Sequence, residues 1–450
     1  MRPSWLAGAV LGASFWAGGC ATNPVTGETE LALISESQEI AMGQQAAAQV
    51  EASIGVVDDA DLNAYVQRIG ESLARDSERP NLPWRFRVVD DPTPNAFALP
   101  GGFIYVTRGM LSLMNSEAEL AAVLGHEVGH VTARHSVHML SQQQLAQIGL
   151  VAGMIFVPEL AQFGDLAGQG LGLLFLKYGR DAERQADELG FRYALADNYD
   201  VREMADVFAA LARSSELAGQ SPLPTWLSSH PGPAERIERI NVMLAEQPGS
   251  WDSRMLGTTP YFRQIDGLIY GNNPRHGFFR GTTFLHPELR FRLEFPQGFQ
   301  LANLTSAVQA VSERQDAAIQ FTFAEGSASQ AASAFAQQQG VRTGQASRER
   351  INGFQAIVVP FEAQAQGGNV AGYVTYIEDG QRTYQLLTYA AAQSFRSYDN
   401  AFRATIGSYA RVDDPAVLNV QPERIDAVEL SSAMTFNEFL QRNASEIPAQ

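Results

Sequence analysis

Apolar and polar positions recur along this chain with two periods, and the change of period divides it. Ser35 followed by Gln38 has the form of a capping box and predicts a helix from Glu36 to about Ile54. Leu62, Tyr65, Val66, Ile69 and Leu73 share one face of a second amphipathic helix over Asp61–Arg75. Trp84–Val89 alternates and predicts a strand. Asn95–Thr107 predicts a strand, a Pro-Gly-Gly turn and a second strand. Ser116 with Glu119 opens another helix, whose Leu120, Val123, Leu124, Glu127 and Val131 recur at near-helical spacing.

Beyond residue 283 the period falls to two. Leu289, Phe291, Leu293 and Phe295 alternate with polar residues, as do Ile319, Phe321 and Phe323. Tyr373–Ile377 and Thr383–Tyr389 flank Asp379-Gly380, a hairpin dipeptide. Phe395, Tyr398, Phe402, Ile406 and Tyr409 return to helical spacing. The fold class expected is α+β: a mainly helical domain with a small edge β-sheet over 35–255, then a separate, smaller α+β domain over 284–412. Residues 256–283, rich in Gly, Asn, Pro and Arg, read as a linker, and 413–450 as a docked strand and helix or a small module.

Two stretches raise the question of a membrane. Residues 1–20 carry Arg2, an apolar run from Trp5 to Trp16 and small residues leading to Cys20, the pattern of an export signal. They resemble a bacterial lipoprotein signal, in which Cys20 would be lipidated. Ala17 stands where that pattern usually has Leu, and an ordinary signal peptide is the alternative. Ala21 after the cysteine resembles lipoproteins sorted to the outer membrane, and 21–34 read as a tether. The runs Ile148–Val157 and Leu166–Leu176 are each too short to span a bilayer. Within 144–177 they form a flap over a site, lie on a bilayer surface, or pack as buried helices.

Composition narrows the partners. The 450 residues, 45% hydrophobic and 18% charged, suit a folded chain of about two or three domains. A net charge of −17 leaves no basic excess for phosphates, so no nucleic-acid partner is expected. One cysteine excludes an intramolecular disulfide and a cysteine-ligated zinc site.

The candidate chemistry lies in Gly125-His126-Glu127-Val128-Gly129-His130. On a helix, His126 and His130 stand one turn apart on one face and can both offer a nitrogen to one Zn²⁺. Glu127 beside them suits the general base of a zinc protease. Gly125 and Gly129 are poor helix formers and would let another backbone approach closely. His135 and His138 miss the spacing of a further ligand, with Ala133 and Ser136 where a metzincin would have glycine and histidine, and read as solvated or as supporting the ligands. In Arg180–Gly190, Glu183 and Asp187 share a helical face: the first could complete a His₂Glu site, the second could hold a ligand ring. Glu188, off that face, and Glu159, without a paired carboxylate, are the competing third ligands.

These segments together resemble the Ste-type gluzincin zinc metallopeptidases, the family of the CAAX prenyl proteases, HtpX, BepA and LoiP. The resemblance rests on Gly125–His130, Asn95–Gly102 and Arg180–Asp187, with Cys20–Gly27 similar to its periplasmic lipoprotein members. It covers roughly residues 20–245. It implies one Zn²⁺ held by His126, His130 and Glu183, Glu127 as catalytic acid/base, and Asp187 as the carboxylate behind a ligand histidine. It also points to Ser229-His230-Pro231 with a supporting Arg236, His230 stabilising an oxyanion or serving as a switchable fourth ligand. The residues alone leave His230 equally able to cap the following helix. The strand at Asn95, Ala96 and Phe97 would bind an extended peptide by strand addition, or be a plain core hairpin. The implied substrates are misfolded or misassembled proteins of the cell envelope, met in the periplasm from a lipid anchor at the outer membrane. The alternative is a chaperone-like assembly factor with a self-inhibited metal site. His276 and His286 are isolated, and the second domain shows no catalytic constellation.

Overall fold

The computed structural model describes residues 20–150, 177–218, 226–304, 307–365 and 368–443. The signal segment before Cys20, most of the apolar segment 144–177 and Glu159 lie outside the described residues.

The chain enters through a hairpin, β1 (Cys20–Thr22) paired antiparallel with β2 (Thr29–Leu31). Asn23 builds its turn: the side-chain oxygen accepts from the amides of Val25 and Thr26 at 2.8 and 3.2 Å. Part of the stretch 21–34, expected to be a tether, thus folds back as a hairpin closed by a hydrogen-bonded Asx turn. Helix α1 (Glu36–Ser53) starts at the Ser35/Gln38 capping box, and α2 (Ala60–Arg75) at Asp59, whose carboxylate accepts from the Leu62 amide.

A three-stranded sheet follows, in the order β3-β5-β4. Strand β3 (Arg85–Val89) is parallel to β5 (Phe103–Thr107), and β4 (Ala96–Leu99) is the antiparallel hairpin partner of β5. The turn between β4 and β5 uses Gly101 and Gly102 at φ +78° and +103°, which only glycine adopts without strain. One edge of the sheet is closed by side chains of α2. Asn63 and Gln67 accept from the amides of Val88 and Phe86 at 3.0 and 2.7 Å, in place of a neighbouring strand. The other edge, β4, faces the metal-site helix.

Helix α3 (Arg108–Leu113) leads to α4 (Glu117–Thr132), whose residues are all buried. Ser116 caps α4, accepting from the Glu119 amide at 3.1 Å. The reciprocal bond of a full capping box goes one residue further out: Glu119 accepts from the Asn115 amide at 2.5 Å. Helix α5 (His135–Leu150) follows after Arg134, a non-glycine residue at φ +58°. Helices α6 (Arg180–Ala196), α7 (Glu203–Ala218), the turn α8 (Trp226–Ser229) and α9 (Pro233–Glu246) complete the layer around α4. The expected glycine contact is specific. A Cβ at Gly125 would lie 3.1 Å from the Gly190 oxygen, and one at Gly129 3.0 Å from that of Ala186, so α6 lies directly on α4.

The stretch 256–283, expected to be a linker, carries α10 (Thr258–Ile265). Tyr261, fully buried, donates to the Leu111 oxygen at 2.6 Å and joins Ile265 and Leu268 in the first core. Two buried side chains on one face of this short helix, with Leu268 just beyond its end, dock the stretch despite the surrounding turn residues. Arg108 fastens the next stretch, pairing with Asp90 and donating to the Gly271 oxygen, both at 2.5 Å. The tail returns here: Gly267 donates to the Ile425 oxygen at 2.8 Å, and Ile425 to that of Leu268 at 2.9 Å. The tail makes a single antiparallel bridge here, Ile269 with Arg424, and not a strand, and the helix Phe436–Arg442 has no buried residue.

The remaining region is sheet-rich. An antiparallel sheet of eight strands is built around the long hairpin Gly368–Asp379 and Arg382–Ala391, turned at Gly380 with φ +65°. A four-stranded sheet (Phe278–Arg280, Thr283–His286, Phe291–Glu294, Ala410–Arg411) packs with it around helix Phe395–Ser408. Phe284, Phe291, Leu293, Phe321 and Tyr384 fill that core, the inward positions of the period-two pattern. The architecture is α+β, helical first and sheet-rich after. No described helix is long and apolar enough to cross a membrane.

Candidate metal centre

Helix α4 presents His126 and His130 on one face, as a four-residue spacing requires. Their Nε2 atoms lie 3.0 Å apart. Helix α6 brings Glu183 against both: one carboxylate oxygen is 3.6 Å from His126 Nε2, the other 3.5 Å from His130 Nε2. His230, at the end of α8, closes the group. Its Nδ1 is 3.0 Å from Glu183 Oε1 and 3.2 Å from His126 Nε2. His126, His130, Glu183 and His230 form a metal-compatible group whose ligand atoms all lie within 4.8 Å of one another. All four are at most 2% exposed.

These residues fit a zinc ion. Four ligands at about 2.0–2.1 Å in a tetrahedron stand about 3.3–3.4 Å from each other, and the contacts above run from 3.0 to 3.6 Å. Glu183 Oε2 is buried and accepts no hydrogen bond, with the Arg236 guanidinium near it at 3.2 Å, so it keeps acceptor capacity for a bound cation. Burial, then the neighbouring His126, His135 and His230, holds His130 well below the usual imidazole pKa, so its ring is neutral and has a lone pair to give. Burial alone would raise the Glu183 carboxyl, but His230, His126 and Arg236 outweigh it and hold it below the usual range.

Asp187, one turn after Glu183, accepts from His126 Nδ1 at 2.9 Å. That bond puts the ring proton on Nδ1 and leaves Nε2 facing the cluster. Arg236 of α9 donates to both Asp187 oxygens and pairs with Glu183 Oε2 at 3.2 Å. Burial raises the Asp187 carboxyl, and Arg236 and His126 bring it down to about 2. Arg236 packs against Phe208 and Trp226, its guanidinium 4.1 and 4.5 Å from their ring centroids. Glu188 points elsewhere, paired with Arg239 at the surface.

Glu127, next to His126 on α4, lies beside the group, its Oε1 3.5 Å from His230 Nε2. The Trp226 indole N–H donates to its Oε1 at 3.4 Å, while Oε2 is buried with no partner. Trp226 also stacks on His230, centroids 4.7 Å apart, and Tyr178 stacks on His130 at 4.0 Å. Neither aromatic was singled out from the sequence. The one available signal for Trp226 is its place four residues before His230, on the same helical face. His135 lies behind His130 with Nδ1 2.9 Å from its Nδ1, and burial holds it down to about 4. His138 sits apart, with Gln142.

The strand residues are placed differently from one another. Thr107 donates to the Asn95 oxygen at 2.9 Å, which fixes the hydrogen-bonded pairs at alternate residues of β4. The main-chain groups of Ala96 and Ala98 then point away from β5, toward the buried edge that no described strand pairs. The Phe97 ring stacks on Tyr105 at 5.3 Å in the core beneath α1, so of Asn95, Ala96 and Phe97 it does not line the metal centre. Cys20 stands at the start of β1, and His276 and His286 lie in the sheet-rich region, away from the cluster.

A helix-borne His-Glu-x-x-His with a glutamate from a later helix defines the two-histidine, one-glutamate class of zinc centre. Residues 60–244 match Peptidase family M48. It is 29% identical over 224 residues to the beta-barrel assembly-enhancing protease of Yersinia pestis, covering 48% of this chain and 45% of that one. Over 188 residues it is 32% identical to the mitochondrial metalloendopeptidase OMA1 of Schizosaccharomyces pombe, 40% of this chain and 53% of that one. The chain spans about half the length of these relatives. Over 29% of this chain and 91% of that one, the structure is similar to a cyanobacterial PsbP from Synechocystis at 10% identity and a TM-score of 0.25, a level from which no function follows.

Proposed function

We propose that this protein is a zinc-dependent endopeptidase of the bacterial cell envelope that degrades misfolded or misassembled envelope proteins. The observation that carries the reading is the convergence of His126, His130 and Glu183 on one point with Glu127 beside it. A relative named for assisting β-barrel assembly supports the choice of substrate.

Zinc, when bound, polarises the scissile carbonyl and lowers the pKa of a water from about 15.7 toward about 7. Glu127 takes the proton of the attacking water on its unpartnered Oε2 as the C–O bond forms. It then delivers that proton to the amine nitrogen as the C–N bond breaks. Trp226 holds Oε1 and so fixes which carboxylate oxygen is free. The outward main-chain groups of Ala96 and Ala98 pair with an extended substrate, which gives affinity without demanding one sequence. His230 turns out of the cluster to admit the peptide, Trp226 staying on Glu127, and then stabilises the oxyanion. We assign the protein to the periplasm, anchored to the outer membrane through lipid on Cys20.

One observation favours a second reading. His230 Nδ1 occupies the fourth corner and the whole group is buried, as in a chaperone-like assembly factor whose metal site is self-inhibited. Casein cleavage by purified protein separates the two. Glu127→Gln is expected to keep its zinc and lose cleavage, and retained cleavage would remove Glu127 from the mechanism. His230→Ala raises cleavage above wild type if His230 silences the site, and lowers it if His230 serves the oxyanion.

A further inference from the structure

The two zinc-facing imidazoles are held by different means, and only one of the supports carries charge. His126 Nδ1 meets the ionised Asp187, itself gripped by Arg236. His130 Nδ1 meets another imidazole, His135 Nδ1, at 2.9 Å, and the far nitrogen of that ring, Nε2, lies 2.9 Å from Gln185 Oε1. We propose that Gln185 and His135 form a neutral relay that fixes the proton of His130 on Nδ1 and thereby keeps its Nε2 open as a ligand. This rests on the zinc reading above and makes His135 a positioning residue.

The argument is a count of protons. An amide oxygen only accepts, so His135 Nε2 must carry the N–H. A neutral imidazole has one N–H, so His135 Nδ1 is an acceptor. Of two ring nitrogens at 2.9 Å one must donate, so His130 Nδ1 carries its proton and Nε2 its lone pair. That lone pair points to the cluster, 3.0 Å from His126 Nε2 and 3.5 Å from Glu183. With the His135 proton on Nδ1 instead, His130 would be forced to carry its own on Nε2, where zinc needs a lone pair. The Gln185 oxygen would then face a second acceptor.

The backbone is arranged to make this contact. Arg134, at φ +58°, reverses the chain after α4 so that His135 falls back beside His130. A left-handed arginine needs support. Its side chain supplies it, bonding to Glu39 at 3.0 Å and to the Ile34 oxygen at 2.8 Å. Gln185 lies between Glu183 and Asp187 on α6, so one helix carries a ligand and the end of each support. A carboxylate behind His130 would add a further negative charge to a site that already buries Glu127, Glu183 and Asp187; an amide fixes the tautomer without adding one.

The test is zinc affinity measured by competition with a chromophoric chelator, with the melting temperature of the metal-free protein recorded alongside. His135→Leu removes the acceptor and is expected to weaken zinc binding by about 10- to 100-fold. His135→Asn puts an amide oxygen where Nδ1 stood and is expected to stay within about 3-fold of wild type. Gln185→Leu weakens binding several-fold in the wild-type background and has no further effect on His135→Asn, because the asparagine needs no tautomer set for it. Wild-type affinity in His135→Leu, or equal losses in the Leu and Asn variants, overturns the relay while leaving the zinc reading intact. Should His135→Leu fail to fold, the two Gln185→Leu comparisons decide, and equal effects in both backgrounds overturn the relay. Wild-type protein that takes up no zinc overturns the metallopeptidase reading and the relay with it.

Discussion

Adding one methyl group at Gly190 tests the helix contact on which the centre is built. A Cβ there would lie 2.7 Å from the His126 nitrogen, 2.9 Å from the Gly125 carbonyl carbon and 3.0 Å from His126 Cα. All three are backbone atoms, which cannot turn aside. Ordinary contact begins near 3.4 Å, so α4 and α6 must part locally by 0.7 Å, the difference between 3.4 and 2.7. Overpacking of this kind costs about 1–3 kcal/mol, and the gain in helix propensity from Gly to Ala offsets about 1 kcal/mol. Gly190→Ala should therefore lose about 1 kcal/mol of stability. The larger effect falls on the metal. Zinc tolerates ligand displacements of about 0.2 Å, and α6 carries Glu183 and Asp187 against the two histidines of α4. Chelator competition should show zinc affinity lowered by at least about tenfold. Gly407→Ala is the control: it lies on the exposed face of helix Phe395–Ser408 with nothing within 4 Å of a Cβ, and should gain about 0.5 kcal/mol in urea unfolding. If the two substitutions shift stability alike, or if Gly190→Ala keeps wild-type zinc affinity, the close helix contact does not hold the centre in register.

Two further outcomes follow from the structure. Burial, with Glu119, Asp206 and Asp200 nearby, pushes Glu203 up to about 7 from 4.5. The folded protein keeps a proton there that the unfolded chain releases, so this contribution is fully present below about pH 4.5 and is lost as pH rises through 7. Glu203→Gln should raise stability by roughly 1 kcal/mol at pH 8 relative to its effect at pH 5, the figure discounted because the side chain is half in solvent; an equal effect at both pH values, by urea unfolding, refutes it. For the anchor, Cys20→Ser should move the protein from the membrane to the soluble fraction of cells, and unchanged membrane retention argues against lipid at Cys20.

Much of the first half was legible because its signals are local. Capping residues, 3.6-residue spacing and the Pro-Gly-Gly turn act within a few residues, and the helices at Glu36, Ala60 and Glu117 start where those signals place them. The alternation in the second half gave its strands for the same reason. Less local features misled. The segment 256–283 has the composition of a linker, yet Tyr261, Ile265 and Leu268 dock it, since a few buried side chains outweigh turn-rich surroundings. Phe97 is expected on a strand that binds a peptide, but its ring packs on Tyr105 in the core beneath α1.

The sequence by itself determined which atoms are available for the chemistry. Two imidazoles one turn apart, a carboxylate beside them and a second pair of carboxylates on a later helix are fixed by covalent spacing and helical geometry. Tertiary structure alone decided which of those atoms meet and which proton sits on which nitrogen. Glu183 reaches the histidines because Gly125 and Gly190 let two helices touch. The tautomers of His126 and His130 depend on Asp187 and His135, the first tens of residues along the chain and the second across a reversed turn. Hydrogen bonds of that range leave no periodic trace in a sequence, because they are set by packing and not by spacing.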